Sequence, residues 1–484
     1  MRFRALITVL SIVAVACSTG GSAATTTATT TTTPATTLTT STPSVAPTLV
    51  PNTEDLVLAD GSTLGPAPVV PSGPLDPQTA ADLDLVFGTV TTGVDIDALT
   101  RLGQSGDARV AWLLADLLRF FQRGEVFETA IDSFGQLTGT TVEGGSVWRV
   151  VTDRLIAWDL PEPPGYVEWK RIPFEFIEPG WEPFFADPGS EVDWRHLSWG
   201  GVLMDDRPLE AVTEPCPQGC IAALDDPAVT DAAGGDWYPD ERVVFGVVVG
   251  GEARAYPKNI MEIHEMVNDT LGGRRIGLPY CTLCGSAQAY LTDSVPAGFE
   301  TLELRTSGLL TRSNKVMFDL HTFSMFDTFL GTAVTGPLHE VGFTLEPVSV
   351  VTSTWADWKA AHPGTTIVAE DGGLGRTYAL DPLGDRDSDG PIFPIGDVDP
   401  RLPVQQQVLG VEAPDGTPIA FAVDAARRSI DAGEKVELAG VVVFSDGAGL
   451  IAQLEDGTPV TSHQAFWFAW SQFHSDTLVW TPLG

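Results

Sequence analysis

Reactive side chains in this chain gather in two short words, HEMVND at 264–269 and CTLC at 281–284, within a sequence of 484 residues that holds only five cysteines. Thiol and imidazole attack carbonyls, bind metals and exchange electrons, so this pair of words marks the site of any chemistry, and several readings of it stand open. In an exported chain the even set beyond Cys17, Cys216 and Cys220 of CPQGC with Cys281 and Cys284 of CTLC, reads first as two disulfides whose pairing stays open among the three possible connectivities. Bonds inside each pair close small loops and carry strain, and a strained CxxC bond is easily reduced, so thiol redox exchange is the second reading. A metal is the third. His264, Cys281 and Cys284 offer three ligands, with Cys216, Cys220 or an open position completing the set, and thiolates favour copper(I) or zinc. Hydrolysis is the fourth, with Cys281 or Cys284 as nucleophile, His264 as base and Asp269 as the group that orients it. The zinc-protease word is excluded, because Asn268 rather than a histidine stands four residues after His264. The plain alternative for His264 is a core-lining helix end.

The elements that must position these groups are short and glycine-punctuated. Strands are predicted at 243–249 and 253–256 across a Gly250-Gly251 turn, and at 275–280, 287–291, 302–306 and 439–444. A helix is predicted over 259–267, with Ile260, Ile263 and Val267 on one side. On such a helix His264 and Asn268 share a face, as do Glu265 and Asp269, so that a carboxylate could fix the imidazole's tautomer.

Arg2 and Arg4 before the apolar run 5–16, with Cys17 after small residues, read as an export signal ending in a lipobox. Cleavage before Cys17 would place a lipid anchor there and hold the protein on the outer side of the cell membrane; simple secretion is the alternative. The run is too short to span a bilayer, and no later stretch is long enough. The Thr-, Ser-, Ala- and Pro-rich stretch that follows cannot bury enough apolar surface to offset its chain entropy, and reads as a tether. A net charge of −37 argues against nucleic acid as a partner and for solubility; no protein or small-molecule partner is indicated.

Leucines from Leu99 to Leu118 recur at spacings of three and four, broken at Gly103 and Gly106, and predict a helical-hairpin region. Further on, Trp355, Trp358, His362 and Thr365 recur with the same offsets as Trp467, Trp470, His474 and Thr477, and Gly246-Val247 and Gly410-Val411 open a strand upstream of each copy. The tryptophans read as core of two closing helices and the histidines as their ends. Two related β units follow from this, the second without the thiols. The predicted fold class is α+β: a mostly β, duplicated C-terminal domain with flanking short helices, preceded by a small all-α helical-hairpin region. The boundaries are a signal over 1–16, a tether over 17–75, helices over 76–160, a Pro- and Trp-rich connection over 161–241, the first β unit over 242–368 and the second over 369–484.

The ordered blocks ARAYPKNIMEIHEMVND, YCTLCGSA, TSGLL, SNKVMFD, WADWKAAHPGT and FWFAWSQFHSDT resemble the bacterial domain of unknown function family numbered 3179, from about Trp199 to the C-terminus. The resemblance implies an exported protein and supplies no reaction. One departure is visible: where the family has a Trp in a block like SLWSQ, this chain has SMFDT, with Phe326 and Asp327.

Overall fold

The structure, a computed structural model, describes residues 56–142, 145–209, 216, 219–384, 386–388 and 390–482. The predicted signal, Cys17 and most of the tether lie outside them. The chain divides into a unit over Met1–Thr53, also outside the described residues, and one over Glu54–Gly484.

Periodic apolar residues form the helices Pro77–Gly88, Ile96–Gly103, Ala111–Phe120 and Glu125–Thr138, with the break after Gly103 where the spacing fails. Asp76 accepts from the amides of Gln78 and Thr79, and Asp95 from Ala98, so carboxylates satisfy amides that have no partner within the first turn. The helices Val147–Ala157, Tyr166–Ile177 and Glu182–Phe185 continue this layer beyond residue 160. A single core joins Leu99, Trp112, Phe174 and Trp181 of the helices to Leu309, Phe318 and Met325 of an adjoining sheet.

The remainder combines short helices with small sheets, five of which form a propeller-like arrangement. Two sheets share one topology. In the first, Val350–Thr354, Val243–Val249 and Glu252–Pro257 are antiparallel neighbours, and Thr366–Val368 joins parallel to the last. In the second, Ser462–Phe466, Gln407–Glu412 and Pro418–Ala422 are antiparallel, and Leu478–Trp480 joins parallel. Each outer strand runs directly into a helix, Trp355–Ala361 or Trp467–Phe473.

The matching words explain why. Trp358 and Trp470 lie so close over Gly246 and Gly410 that a Cβ on either glycine would come within 2.1 or 2.0 Å of the ring, so only a residue without a side chain lets the helix dock. Each indole N–H donates to the threonine hydroxyl of its word, Thr365 or Thr477, at 2.9 Å. His362 and His474 end the helices as predicted, their rings 4.1 Å from the tryptophans.

One expectation needs correction. The helix after Pro257 spans Lys258–His264 and stops there. Glu265 adopts a left-handed φ of 51°, and the chain continues as the strand Met266–Leu271. That strand ladders with Arg274–Cys281 across the Gly272-Gly273 turn, so the backbone groups of 266–271 are satisfied by sheet rather than by another helical turn. Asn268 and Asp269 therefore stand on a strand, and their shared helical faces with His264 and Glu265 do not form.

Candidate functional site

The strand Arg274–Cys281 pairs back on Ser286–Ala287, with Cys281 opposite Ser286. Residues 282–285 are thus a tight turn that begins at one thiol and contains the other. Gly285 closes it at φ 58°, a left-handed conformation, and a Cβ there would meet the Phe466 ring at 2.8 Å. The Phe466 amide donates to the Cys284 carbonyl at 2.8 Å, which clamps the turn against the second of the matching sheets.

Both thiols are free and buried, Cys281 at 2% exposure and Cys284 at 0%. Their sulfurs face the same acceptor, the Ser313 carbonyl, at 3.7 and 3.4 Å. The Cys284 sulfur also lies 3.6 Å from Asn314 Oδ1. Burial opposes ionisation of Cys281, yet donation from the Cys284 thiol and from the backbone amides of Lys315 and Cys284 holds it below the usual thiol range. Burial and the neighbouring Cys281 push Cys284 well above that range. The pair is therefore asymmetric, with Cys281 the more readily ionised sulfur.

Glu265 is the hub beside them. Its carboxylate accepts from the Thr282 hydroxyl at 2.9 Å and lies 3.6 Å from the Lys315 ammonium. Its backbone carbonyl accepts from Lys315 Nζ and, at 3.0 Å, from the Tyr280 amide. Burial lowers the Lys315 pKa, while Glu265 and Cys281 oppose that fall. The thiols belong to an apolar core with Val408, Phe466 and Trp467, and Ser286 Oγ, Ser313 Oγ and Asn314 Nδ2 are buried beside them without hydrogen-bond partners. Beyond Tyr280 and Gly285 opens a cavity of about 570 Å³, lined also by Lys258, Asp387, Gln407 and Arg427.

The other predicted residues have different partners. His264 is fully buried, with Nδ1 2.7 Å from the Ala222 carbonyl and Nε2 2.7 Å from the Tyr378 hydroxyl. A carbonyl only accepts, so Nδ1 carries the proton and Nε2 accepts from Tyr378. Burial pushes the pKa of His264 down to about 4, which keeps the ring neutral at pH 7. Asp269 accepts from Arg254 at 2.6 Å and from the Tyr256 hydroxyl at 2.8 Å. Among the described residues no group of three or more His, Cys, Asp or Glu side chains is arranged to hold a metal ion, so His264, Cys281 and Cys284 do not form the expected ligand set. Cys216 and Cys220 are joined by a disulfide, one of the bridges expected.

Thr282 and Lys315 escaped the sequence reading, and Glu265 entered it only as a face-mate of Asp269, although each lies inside a conspicuous word: HEMVND, CTLC and SNKVMFD. Only the left-handed kink at Glu265 brings them together. Residues 218–457, which include all of these groups, match the model of a family described as Protein of unknown function (DUF3179), and the chain resembles that family over this segment. No curated protein matches the chain, and neither does a solved structure.

Proposed function

We propose that this is an exported protein, anchored in the membrane by acyl chains on Cys17, whose Cys281 and Cys284 form a redox dithiol exchanging with disulfides of a protein or small-molecule partner. The observation that carries the reading is the meeting of both sulfurs at the Ser313 carbonyl, with the acidic thiol first in the CxxC turn. Cys281 thiolate attacks one sulfur of the partner disulfide, forming a mixed disulfide and expelling one partner thiolate, which takes up a proton. The Cys284 thiol then loses its proton, and its sulfur attacks Cys281 Sγ, releasing the second partner thiol. Two thiols of this chain are oxidised to one disulfide, and one partner disulfide is reduced to two thiols. The two matching sheets descend, in this reading, from one duplicated unit, of which the first retains the thiols.

The near-complete burial of both sulfurs supports a second reading, an inert envelope scaffold. Equilibration in glutathione buffers of graded redox ratio, followed by acid quench and thiol mass labelling, separates the two. Redox function requires a Cys281–Cys284 disulfide to appear in native protein as the buffer becomes oxidising. Cys284→Ser should trap a stable mixed disulfide on Cys281, whereas Cys281→Ser should react at least roughly tenfold more slowly, because its remaining thiol keeps its proton. A pair that stays reduced in fully oxidised glutathione until the protein is denatured would leave the scaffold reading alone.

A further inference from the structure

The two matching sheets differ most on the face beside their glycine. In the first, Val351 stands opposite Gly246 and Val248 two residues beyond it. At Val351 that face is covered: Val351 packs with Trp358 and Ala448 in one core, and the Ala448 carbonyl accepts from the Ser353 hydroxyl at 2.7 Å, while Val248 is exposed. In the second sheet His463 stands opposite Gly410, and Glu412 lies two residues beyond. Here the face is open, and a cavity of about 360 Å³ lies over Trp470 and Phe329, which is within the size range of small-molecule sites.

Two polar atoms of residues lining this cavity are buried without a partner, Gln288 Oε1 and His463 Nε2. Gln288 is only 5% exposed. Its Nε2 donates to the Phe329 carbonyl at 2.6 Å and lies 3.1 Å from the Tyr290 hydroxyl, which leaves Oε1 as the open acceptor. Phe329 stacks on Phe473 at 4.8 Å, and Asp327 Oδ1 holds its turn by accepting from the Phe329 and Leu330 amides at 2.8 and 3.0 Å. Burial lowers His463 to about 3 and His474 to about 4, so both rings are neutral at pH 7. No Lys or Arg lines the cavity among the described residues, and Glu412 places a carboxylate at its edge, 3.8 Å from His474 Nδ1.

We propose that this cavity binds a small aromatic molecule that carries an N–H or O–H donor and no negative charge. Its donor meets Gln288 Oε1, its ring lies against Phe329 and His463, and Glu412 excludes anions. The site is separate from the thiols and stands whether or not they exchange.

Phenol and benzamidine serve as probes and benzoate as comparison, titrated into the full chain and followed by ligand-detected NMR and by the shifts of ¹⁵N-labelled histidines. Phenol and benzamidine should saturate with dissociation constants of roughly 1–10 mM, in keeping with their few atoms. Benzoate should bind at least roughly tenfold more weakly. His463→Val, which installs the residue the first sheet tolerates at the same place, should weaken phenol and benzamidine roughly threefold to tenfold, the worth of one lost aromatic ring contact. Absence of saturation by either probe, binding of benzoate as tight as theirs, or unchanged affinity in folded His463→Val would each overturn the proposal.

Discussion

Glu265→Gln tests the electrostatics of the thiol site without touching a sulfur. The Glu265 carboxylate opposes ionisation of Cys281, and its side chain is only 15% exposed, so water screens it poorly. Two unit charges on the order of 7 Å apart interact by about 2 kcal/mol at an effective dielectric constant of about 20. Allowing for partial solvent screening, about 1.4 kcal/mol remains, which is about a tenfold change in the ratio of thiolate to thiol. Removing the carboxylate also leaves the Lys315 ammonium less neutralised, and that acts in the same direction. The variant should therefore show a more acidic Cys281, while losing about 3 kcal/mol of stability because a buried ammonium has lost its counter-charge. Alkylation by iodoacetamide, measured from about pH 5 to about pH 10 with the modified residue identified by mass, reads the midpoint directly. The plateau rate at high pH reports how often the turn opens, and the midpoint reports the charge environment. A midpoint that stays in place or rises, in protein shown by circular dichroism to be folded, would refute this account of the site.

Gly246→Ala and Gly410→Ala should each lower stability by about 3 kcal/mol or prevent folding, since the added methyl would fall inside the Trp358 or Trp470 ring; urea unfolding measures this, and a loss below about 0.5 kcal/mol in either variant would contradict the docking described. Acid should destabilise the fold through His264: its folded pKa of about 4 lies below the ordinary 6.5, so the unfolded chain takes up the proton first. Stability then falls as pH drops from about 6.5 towards about 4, by about 3 kcal/mol in all from this residue, and is untouched above that window. His196, His463 and His474 act in the same direction, so the quantity to measure is the difference in slope between wild type and His264→Gln in urea unfolding at several pH values. Equal slopes would show that His264 is not the neutral buried ring described.

Residue spacing disclosed most where one physical constraint acted locally. The Leu99–Leu118 period marks helices because a buried stripe needs that period, and the word shared by Trp355 and Trp467 marks matching helix ends because indole, glycine and threonine must meet in one geometry. The strand Val243–Val249 is continuously apolar and bounded by Gly250, and it appears with the predicted bounds. The site was harder to read. Periodicity at Ile260, Ile263 and Val267 suits a helix and a strand entry alike, and the choice is made by a distant partner, Arg274–Cys281. Because that ladder ends the helix at His264, the imidazole turns to Ala222 and Tyr378, while Glu265, which a helix would have sent elsewhere, reaches Thr282 and Lys315. No local pattern encodes that exchange of partners.

The second matching sheet holds the turn that contains Cys284 although it carries no thiol. Cys284 has its backbone carbonyl bonded to the Phe466 amide, and Gly285 rests against the Phe466 ring. At the corresponding place the first sheet has Thr354, whose hydroxyl caps its own helix by accepting from the Asp357 amide; Phe466 makes no such cap and spends its contact on the turn. In the proposed exchange, exposing Cys281 to a partner disulfide requires the 282–285 turn to leave Phe466, so the second sheet sets the frequency of opening, while Cys284, Glu265 and Lys315 set the acidity of the thiol. Phe466→Ala should accordingly raise the plateau rate of Cys281 alkylation while leaving its pH midpoint where it was, the inverse of the effect expected from Glu265→Gln. A Phe466 variant that moved the midpoint instead would show that the turn's docking and the charge environment of the thiol are one interaction and not two.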